Sequence, residues 1–345
     1  MRIKERRLST YVVLGVVCFI TFLYICIIFF YHRTTDKDIA SFLLKAPLSN
    51  IQVETQSVTA LSKIHHVFVI VEENHNWQEI YKNPDAPFIN KTLLPISAYA
   101  QQYYTISKND KALHPSEPNY ILLESGMIAF PDHTFTTDKV PSASNSTNSH
   151  NHIAYLLEQK KLSWKSYQED ISGKDCPINT VNNYVPRHNP FVFFQDVAGN
   201  PPNSMNIYCQ KHIRPVNELQ KDLQTGTVAN YVFITPNLQH DMHDGTITQA
   251  DTRLSTIVPL ITQSATFQKD GALIVLWDEG KEGDDENSPI GMIVTSPFVK
   301  KGYANTITYS HASFVKTIEE IFQISPLLGI AAYDNVQDLS DFFQP

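Results

Sequence analysis

Acidic side chains follow two apolar runs of the chain at the point where each run ends. HVFVIV leads to Glu73 and Asn74, and ALIVLW leads to Asp278 and Glu279. Such β-branched runs are typical of strands buried on both faces, and the carboxyl ends of parallel strands meet at the edge of a sheet where α/β proteins bind ligands. Crowded carboxylates repel each other unless a cation lies between them. The sequence therefore predicts an oxygen-donor site for a hard divalent ion; solvated acids that merely follow each strand are the alternative.

A serine occupies the place where a helix is expected to begin. Ser116 lies in the segment HPSEPN, and Pro118 suits an early helical position because its missing N–H costs nothing there. The start of a helix presents free N–H groups and positive potential, which stabilise a bound phosphate and an ionised serine oxygen. Ser116 is therefore a candidate nucleophile. The alternative is a serine that only caps the helix.

Histidines gather in two further places. His188 belongs to the segment RHNP, and His243 and Asp244 belong to the segment HDMHD, which follows another apolar run. A histidine at either place can contact a phosphate or give a proton to a leaving group. Histidine–aspartate pairs also occur on ordinary polar surfaces, so plain hydrogen-bonded surface groups are the alternative.

The elements that must position these residues alternate between strand and helix. Strand-like apolar runs occur at 66–71, 231–234, 272–277 and 292–294, and helical patterns occur at 153–161, 253–263 and 313–322. This alternation predicts an α/β fold with a mainly parallel central sheet flanked by helices. The stretch 131–150 is rich in Ser, Asn, Thr and Pro, and it predicts an exposed loop.

Seven segments of the chain form an ordered set of motifs. They are VFVIVEENHNW, HPSEPNYILLESG, LSWKSYQED, RHNPFVFF, NYVFITPNLQHDMHDG, ALIVLWDEG and YSHASFVKTIEEIF. Together, over about residues 64–345, they resemble the bacterial phosphoesterase family that includes acid phosphatases and phosphatidylcholine-type phospholipases C. The resemblance implies an alkaline-phosphatase-like α/β fold and the hydrolysis of phosphate esters.

The resemblance also implies how the site is built. The implied residues are Ser116 as the nucleophile that becomes phosphorylated, Glu73, Asn74, Asp278 and Glu279 as metal ligands, and Asn119, His188, His243 and Asp244 as secondary contacts. The S/T-x-P-N pattern of the family begins at Ser116. Oxygen ligands favour calcium, magnesium or manganese as the ion, with zinc as the alternative.

The expected reaction is metal-dependent hydrolysis of phosphate monoesters through a phosphoserine intermediate, as in acid phosphatases. Cleavage of phosphatidylcholine-type lipids, as in phospholipase C, is an alternative. Many relatives carry a histidine shortly after the Asp–Glu pair, where this chain has the segment SPIG. Pro289 offers no ligand atom, which suits an inactive surface protein that only binds phosphate or metal, or an enzyme in which His311 takes over.

The N-terminal region predicts a membrane anchor. Residues 11–31 are uncharged and mostly apolar, long enough to cross about 30 Å of hydrocarbon. A cleaved signal peptide is the alternative, although its apolar region is usually about 7–15 residues long. The basic residues of segment 1–10 predict a cytoplasmic N-terminus. We therefore expect a stalk at 32–60 and a phosphoesterase domain at 61–345 outside the cytoplasm, in the periplasm or the extracellular space.

Charge and cysteine content limit the partners and the compartment. The formal net charge of −8 argues against a nucleic-acid partner, because phosphate backbones are bound by basic surfaces. The expected partners are a phosphate-ester substrate and, through the anchor, the membrane; the oligomeric state is left open. Cys176 and Cys209 are the two cysteines outside the apolar segment. Export favours their oxidation to a disulfide, and two unpaired thiols are the alternative.

Overall fold

Eight strands form one sheet in the computed structural model, which describes residues 60–281 and 288–345. The strands are β1 (His66–Glu72), β2 (Ala98–Tyr104), β3 (Trp164–Gln168), β4 (Ile213–Pro215), β5 (Tyr231–Thr235), β6 (Gly271–Trp277), β7 (Ile290–Thr295) and β8 (Tyr303–Ser310). Their order across the sheet is β4-β3-β5-β1-β6-β7-β2-β8. β7 runs antiparallel to β6 and β2, and the other neighbouring pairs are parallel. The sheet is therefore mixed and mainly parallel, as predicted.

The centre of the sheet is β1, which lies between β5 and β6. Apart from His66, every residue of these three strands is buried. Strands covered on both faces are apolar throughout, which is why the sequence reveals them. β2 and β8 mix polar with apolar residues and are partly exposed, and the sequence analysis missed them together with β3 and β4.

Helices flank the sheet. They are α1 (Trp77–Ile80), α2 (Ser116–Ser125), α3 (Ile153–Gln159), α4 (Gln195–Ala198), α5 (Ile207–His212), α6 (Leu219–Thr225), α7 (Ile247–Thr262), α8 (Ala265–Asp270) and α9 (His311–Ile321). The helices predicted at 153–161 and 313–322 are α3 and α9. The pattern at 253–263 is the C-terminal part of α7. That helix begins earlier than predicted because a capping box fixes its first turn, with Gln249 N donating to Thr246 Oγ1 at 3.2 Å.

The segment 131–150, all of it described, contains no helix or strand, but its predicted exposure is wrong for several residues. Phe135 and Thr147 are completely buried. Asn145 is 4% exposed, and its amide donates to Glu117 Oε2 at 3.2 Å. The polar composition of the segment reflects hydrogen bonds made inside the protein as well as contact with water.

A disulfide joins Cys176 and Cys209, which confirms the predicted pairing over two unpaired thiols. Both cysteines are buried. The loop that the disulfide closes includes His188, so this covalent tether acts on a segment that carries a predicted site residue.

Among residues 60–281 and 288–345, no helix has both the length and the apolar character needed to span a membrane. The predicted tail (1–10), anchor (11–31) and nearly all of the stalk (32–60) lie outside the described residues. They stay predictions.

Candidate active site

The ends of β1 and β6 bring the predicted acidic side chains together. The two strands pair in parallel with Glu72 opposite Trp277, and the Asp278 N–H donates to the Glu72 carbonyl at 3.0 Å. Glu73 and Asp278 therefore follow at the same level on adjacent strands. Ligand oxygens of Glu73, Asp278 and Glu279 lie within 4.8 Å of one another, and all three residues are buried.

Ser116 is the first residue of α2 and faces this acidic group. Pro115 occupies the capping position, so the alternative of a capping serine is wrong. Ser116 Oγ lies 3.2 Å from Glu73 Oε2 and 3.5 Å from Glu279 Oε1, and it can donate to either. One turn later, Asn119 Nδ2 donates to Glu279 Oε2 at 3.0 Å. Three elements far apart in the chain thus contribute to one buried group.

Asn74 follows β1 in the left-handed backbone region, with φ of 50°. With its amide nitrogen toward the carboxylates, it donates to Glu73 Oε2 at 3.2 Å and to Glu279 Oε1 at 2.8 Å. With its amide oxygen toward them, three acceptors would face one another, which is favourable only around a cation. Rotation of the amide would therefore present the Asn74 oxygen to a cation bound between these carboxylates.

The two predicted histidines lie beside the other oxygen of Glu73. His188 Nε2 is 3.2 Å from Glu73 Oε1, and His188 Nδ1 is 3.3 Å from Asp241 Oδ2. The rings of His188 and His243 are 5.7 Å apart between centroids. Asp244, whose side chain is about half exposed, contacts the site through His243: its Oδ1 lies 2.7 Å from His243 Nδ1.

His114 and Asp241 also reach the site, and neither was assigned a role from the sequence. His114 Nδ1 lies 3.0 Å from Glu279 Oε2. The carbonyl of Asp241 accepts from the Glu73 N–H at 2.7 Å. His114 precedes Ser116 by two positions in the same motif, and this proximity is the signal that could have identified it. Asp241 lies within the HDMHD segment, but nothing in that segment distinguishes it from the neighbouring aspartate.

His311 does not replace the histidine that many relatives carry near Pro289. His311 Nε2 donates to the Asp278 carbonyl at 2.7 Å, and its Nδ1 accepts from the Tyr103 hydroxyl at 2.7 Å. Burial lowers the pKa of His311 to about 4, so the ring is neutral. Pro289 contributes its carbonyl, which accepts from the Trp77 N–H at 2.8 Å. His311 therefore holds the turn that carries Asp278.

Negative charge is concentrated and buried at this site. Burial and the neighbouring carboxylates raise the pKa values of Glu73 and Asp278 well above their usual range. Burial also raises the pKa of Glu279, although His114 opposes that rise. Within the described residues, neither carboxylate oxygen of Asp278 makes a hydrogen bond of normal geometry. A divalent cation would neutralise these charges and supply the missing partner, so the donor set fits a metal ion.

The histidine side of the site carries positive charge from Arg187. Its Nη2 lies 3.3 Å from His243 Nε2, and its Nε lies 3.2 Å from Asp138 Oδ2. Burial lowers the pKa of His188 well below its usual range, and Arg187 adds to this effect. His188 is therefore a neutral imidazole, the form that binds metal ions.

A comparison with known protein families matches residues 80–325 to the Phosphoesterase family. The chain belongs to this family. The resemblance carried by the seven motifs is thus confirmed. Its restriction to bacteria is not, because similar proteins occur in fungi as well as in bacteria.

Three similar proteins illustrate the family. The phosphate-repressible acid phosphatase of Penicillium chrysogenum is 29% identical over 66% of this chain and 52% of its own length. The phosphatidylinositol-3-phosphatase of Mycobacterium tuberculosis is 28% identical over 83% of this chain and 85% of its own length. A probable acid phosphatase of Kluyveromyces lactis is 27% identical over 68% of this chain and 54% of its own length. The chain spans about half the length of the fungal acid phosphatases that it matches.

Solved structures share the fold at low sequence identity. A sulfatase from Pseudoalteromonas has a TM-score of 0.52 and 11% identity, covering 84% of this chain and 75% of that one. Murine ectonucleotide pyrophosphatase/phosphodiesterase 5 has a TM-score of 0.51 and 11% identity. The match covers 81% of this chain and 100% of that one. These similarities concern the fold alone, which is the predicted alkaline-phosphatase-like α/β fold with a mixed central sheet.

Proposed function

We propose that this chain hydrolyses phosphate monoesters through a phosphorylated Ser116 at a site that holds a divalent metal ion. One observation carries the proposal: the hydroxyl of Ser116, at the start of α2, is not used for capping and lies 3.2 Å from Glu73 Oε2 within a buried group of oxygen donors. Membership of the Phosphoesterase family supports the reaction class. The fungal relatives named acid phosphatases support a monoester substrate.

Different residues of the chain carry out the successive steps of this reaction. Ser116 Oγ forms a bond to phosphorus as the bond to the leaving oxygen breaks, and its proton passes to Glu73 or Glu279, the two carboxylates within reach.

The backbone N–H of Ser116, the first residue of α2, binds a phosphate oxygen. The Glu117 N–H donates to Asp138 Oδ1 at 3.0 Å, and Pro118 has no N–H. His243 contacts the phosphate together with Arg187, whose Nη2 donates to His243 Nε2 at 3.3 Å. The leaving oxygen takes its proton from water. Water then hydrolyses the phosphoserine and restores Ser116.

Glu73, Asn74, Asp278 and Glu279 would hold the ion. A bound divalent cation supplies Lewis acidity that stabilises charge on the phosphate oxygens. The oxygen-donor set favours magnesium, calcium or manganese, with zinc as the alternative. Asn119 keeps Glu279 oriented through its 3.0 Å hydrogen bond.

A phosphorylated inositol lipid is the second candidate substrate. The relative named phosphatidylinositol-3-phosphatase is matched over 85% of its own length, a larger share than either fungal acid phosphatase. Such a lipid carries a phosphate monoester, whereas phospholipase C cleaves the diester of phosphatidylcholine. The predicted anchor at 11–31 would hold the domain close to lipid substrates.

Purified protein assayed on three substrates tests the proposal. We expect phosphate release from p-nitrophenyl phosphate and from vesicles containing phosphatidylinositol 3-phosphate, and no diacylglycerol from phosphatidylcholine vesicles. Ser116→Ala should lower the rate by at least about 1,000-fold, because a covalent nucleophile has no substitute. Ser255→Ala, on the outer part of α7, is the matched control and should keep full activity. Acid quenching followed by peptide mass spectrometry should find phosphate on Ser116.

An inactive binding protein predicts another result. In that case the wild type would release phosphate no faster than Ser116→Ala, with or without added metal, while still binding the ion. Diacylglycerol release without phosphate release would identify the phospholipase C alternative instead.

We also propose that residues 11–31 anchor the chain once in a membrane, with the catalytic domain in the periplasm or outside the cell. The disulfide between Cys176 and Cys209 supports an oxidising compartment. Protease added to spheroplasts, in which the cell wall and any outer membrane no longer block access, should degrade the domain. Complete protection that is lost only on lysis would contradict this topology.

A further inference from the structure

Arg187 contacts the candidate active site and also lines a small cavity. The cavity has a volume of about 120 Å³, and its wall includes Lys139 and Thr180 as well as Arg187. Pockets that hold a whole drug-sized molecule measure about 300–1,000 Å³. This cavity therefore has room for one small group of a substrate, and not for an entire organic leaving group.

The guanidinium of Arg187 has donors to spare for an anion in this cavity. Its Nη2 lies 3.3 Å from His243 Nε2, and its side chain is 23% exposed. Within residues 60–281 and 288–345, its contacts with His243 and Asp138 engage two of the five N–H groups that a guanidinium carries, which leaves three. One arginine can thus contact a phosphate beside His243 and a second anion in the cavity.

The wall of the cavity is held at a set position relative to Ser116. Asp138 Oδ2 lies 3.2 Å from Arg187 Nε, and its Oδ1 accepts from the Glu117 N–H at 3.0 Å. The Lys139 N–H donates in turn to Glu117 Oε2 at 2.8 Å. Because Glu117 directly follows Ser116, the cationic side chains are tied to the start of α2 before any substrate arrives. Such preorganisation lowers the cost of binding.

The lining of the cavity carries a net positive charge. Arg187 and Lys139 supply two positive charges, and Asp138 supplies one negative charge that is already paired with Arg187. Lys139 is exposed, and its flexible side chain can reach a bound anion. A chain with a formal net charge of −8 thus places two cations around one small cavity beside its site.

We propose that this cavity binds a second phosphoryl group of the substrate, one that is not hydrolysed, while the first phosphoryl group lies at Ser116. Preferred substrates then carry two phosphoryl groups a short distance apart. Inositol bisphosphates do so, and so does phosphatidylinositol 3-phosphate, whose second group is the phosphodiester of the lipid. This role of the cavity rests on the proposed function, because both groups belong to one substrate. The competing view is that Arg187 serves the reacting phosphate alone.

Inositol 3-phosphate and inositol 1,3-bisphosphate are a matched pair of probes, because they differ only in the second phosphate. With Mn²⁺ added, we expect the wild type to have a kcat/KM about tenfold higher for the bisphosphate, chiefly through a lower KM. Lys139→Gln keeps the backbone hydrogen bond to Glu117 and removes the charge, so it should bring this ratio close to one. Lys160→Gln, at an exposed lysine that ends α3, is the matched control and should keep the wild-type ratio.

Vesicles containing phosphatidylinositol 3-phosphate identify the source of the second group. If the lipid supplies it, Lys139→Gln should lower kcat/KM on these vesicles as well as on the soluble bisphosphate. A loss confined to the bisphosphate would identify a soluble ester as the substrate that fills the cavity.

Equal kcat/KM values for the two probes in the wild type, or the wild-type ratio in Lys139→Gln, would overturn the second phosphoryl site. Binding to Ser116→Ala separates this outcome from failure of the proposed function. Calorimetry should show that this variant binds the bisphosphate about tenfold more tightly than the monophosphate. The same preference, together with a wild type that releases no phosphate, would refute the function and leave the site standing.

Discussion

Glu73 and Asp278 hold protons more tightly than ordinary carboxyl groups, because burial and mutual repulsion raise their pKa values. A cation that binds there must displace these protons, so its affinity depends on pH. Groups with raised pKa values lose their protons only at higher pH. We therefore expect Mn²⁺ to bind more tightly at pH 8 than at pH 5, by up to about tenfold per pH unit for each proton displaced. Calorimetric titrations at several pH values measure this, and a pH-independent affinity would contradict it.

Asp278 also allows a test of the buried repulsion itself. Asp278→Asn keeps the size of the side chain and removes one charge from a group that includes Glu73 and Glu279. The ion-free variant should therefore melt at the same temperature as the ion-free wild type or higher. Its affinity for Mn²⁺ should fall by more than about 100-fold, since even outer partners of metal ligands account for about 10–100-fold.

Thermal unfolding with and without Mn²⁺ measures both effects of Asp278→Asn. The exposed Asp110 provides the control. Asp110→Asn should change neither the melting temperature of the ion-free protein nor its affinity for Mn²⁺. A melting temperature of ion-free Asp278→Asn well below that of the ion-free wild type would show that the carboxylate stabilises the fold rather than straining it.

Among the elements, α2, α3 and α4 meet at one buried histidine. His152 immediately precedes α3. Its Nδ1 lies 3.2 Å from Glu124 Oε1 in α2, and its Nε2 lies 3.1 Å from Asp196 Oδ2 in α4. Burial opposes the protonation of His152, but the hydrogen bonds to Asp196 and Glu124 outweigh it and raise its pKa to about 9. The charged ring therefore holds the three helices together.

Stability should consequently depend on pH through His152. Because its pKa is higher in the folded protein than in the unfolded chain, its contribution is complete below about pH 6.5 and is lost as pH rises through about 9. We expect His152→Gln to lower the free energy of unfolding by about 3 kcal/mol more at pH 6 than at pH 10. Denaturant titrations measure this. His65→Gln, at an exposed histidine, should show no such difference.

The pairing of β6 with β7 places a glycine against the residue that precedes Asp278, one of the proposed metal ligands. A Cβ atom added at Gly291 would lie 2.1 Å from Trp277 Cε3, and Trp277 is completely buried. Gly291→Ala should therefore displace the ring, lower the free energy of unfolding by about 1–3 kcal/mol, and weaken Mn²⁺ binding because Asp278 moves with Trp277.

Gly226→Ala is the control for Gly291→Ala. No heavy atom lies within 4 Å of a Cβ added at Gly226, although its φ of +67° strains any other residue by about 1–2 kcal/mol. This variant should lose stability and keep its metal affinity. Equal Mn²⁺ affinities in both variants and the wild type would contradict the argument from Trp277.

Over the whole molecule, the disulfide between Cys176 and Cys209 closes a loop across a sequence separation of 33 residues. The loop-entropy model assigns such a closure about 3–4 kcal/mol. The double variant Cys176→Ala, Cys209→Ala should lose about that much stability in the domain. A reductant should destabilise the wild type by a similar amount and leave the double variant unchanged; an equal response of both proteins would contradict this.

The sequence predicts the parts of this molecule that carry a local signal. β1, β5 and β6 are apolar over most of their length because both of their faces are covered, and the acidic residues that follow β1 and β6 therefore stand out. β2 and β8 lack that signal, since polar residues interrupt both strands. The roles of His114 and Asp241 depend on which turns meet above the sheet. No spacing along the chain encodes that meeting, so only the folded structure reveals it.

The loop held by Cys176 and Cys209 carries His188 to its place beside Glu73. A newly made chain in a reducing compartment keeps two free thiols. The loop that carries His188 is then not closed by a disulfide. The disulfide between Cys176 and Cys209 would form only after the chain reaches an oxidising compartment.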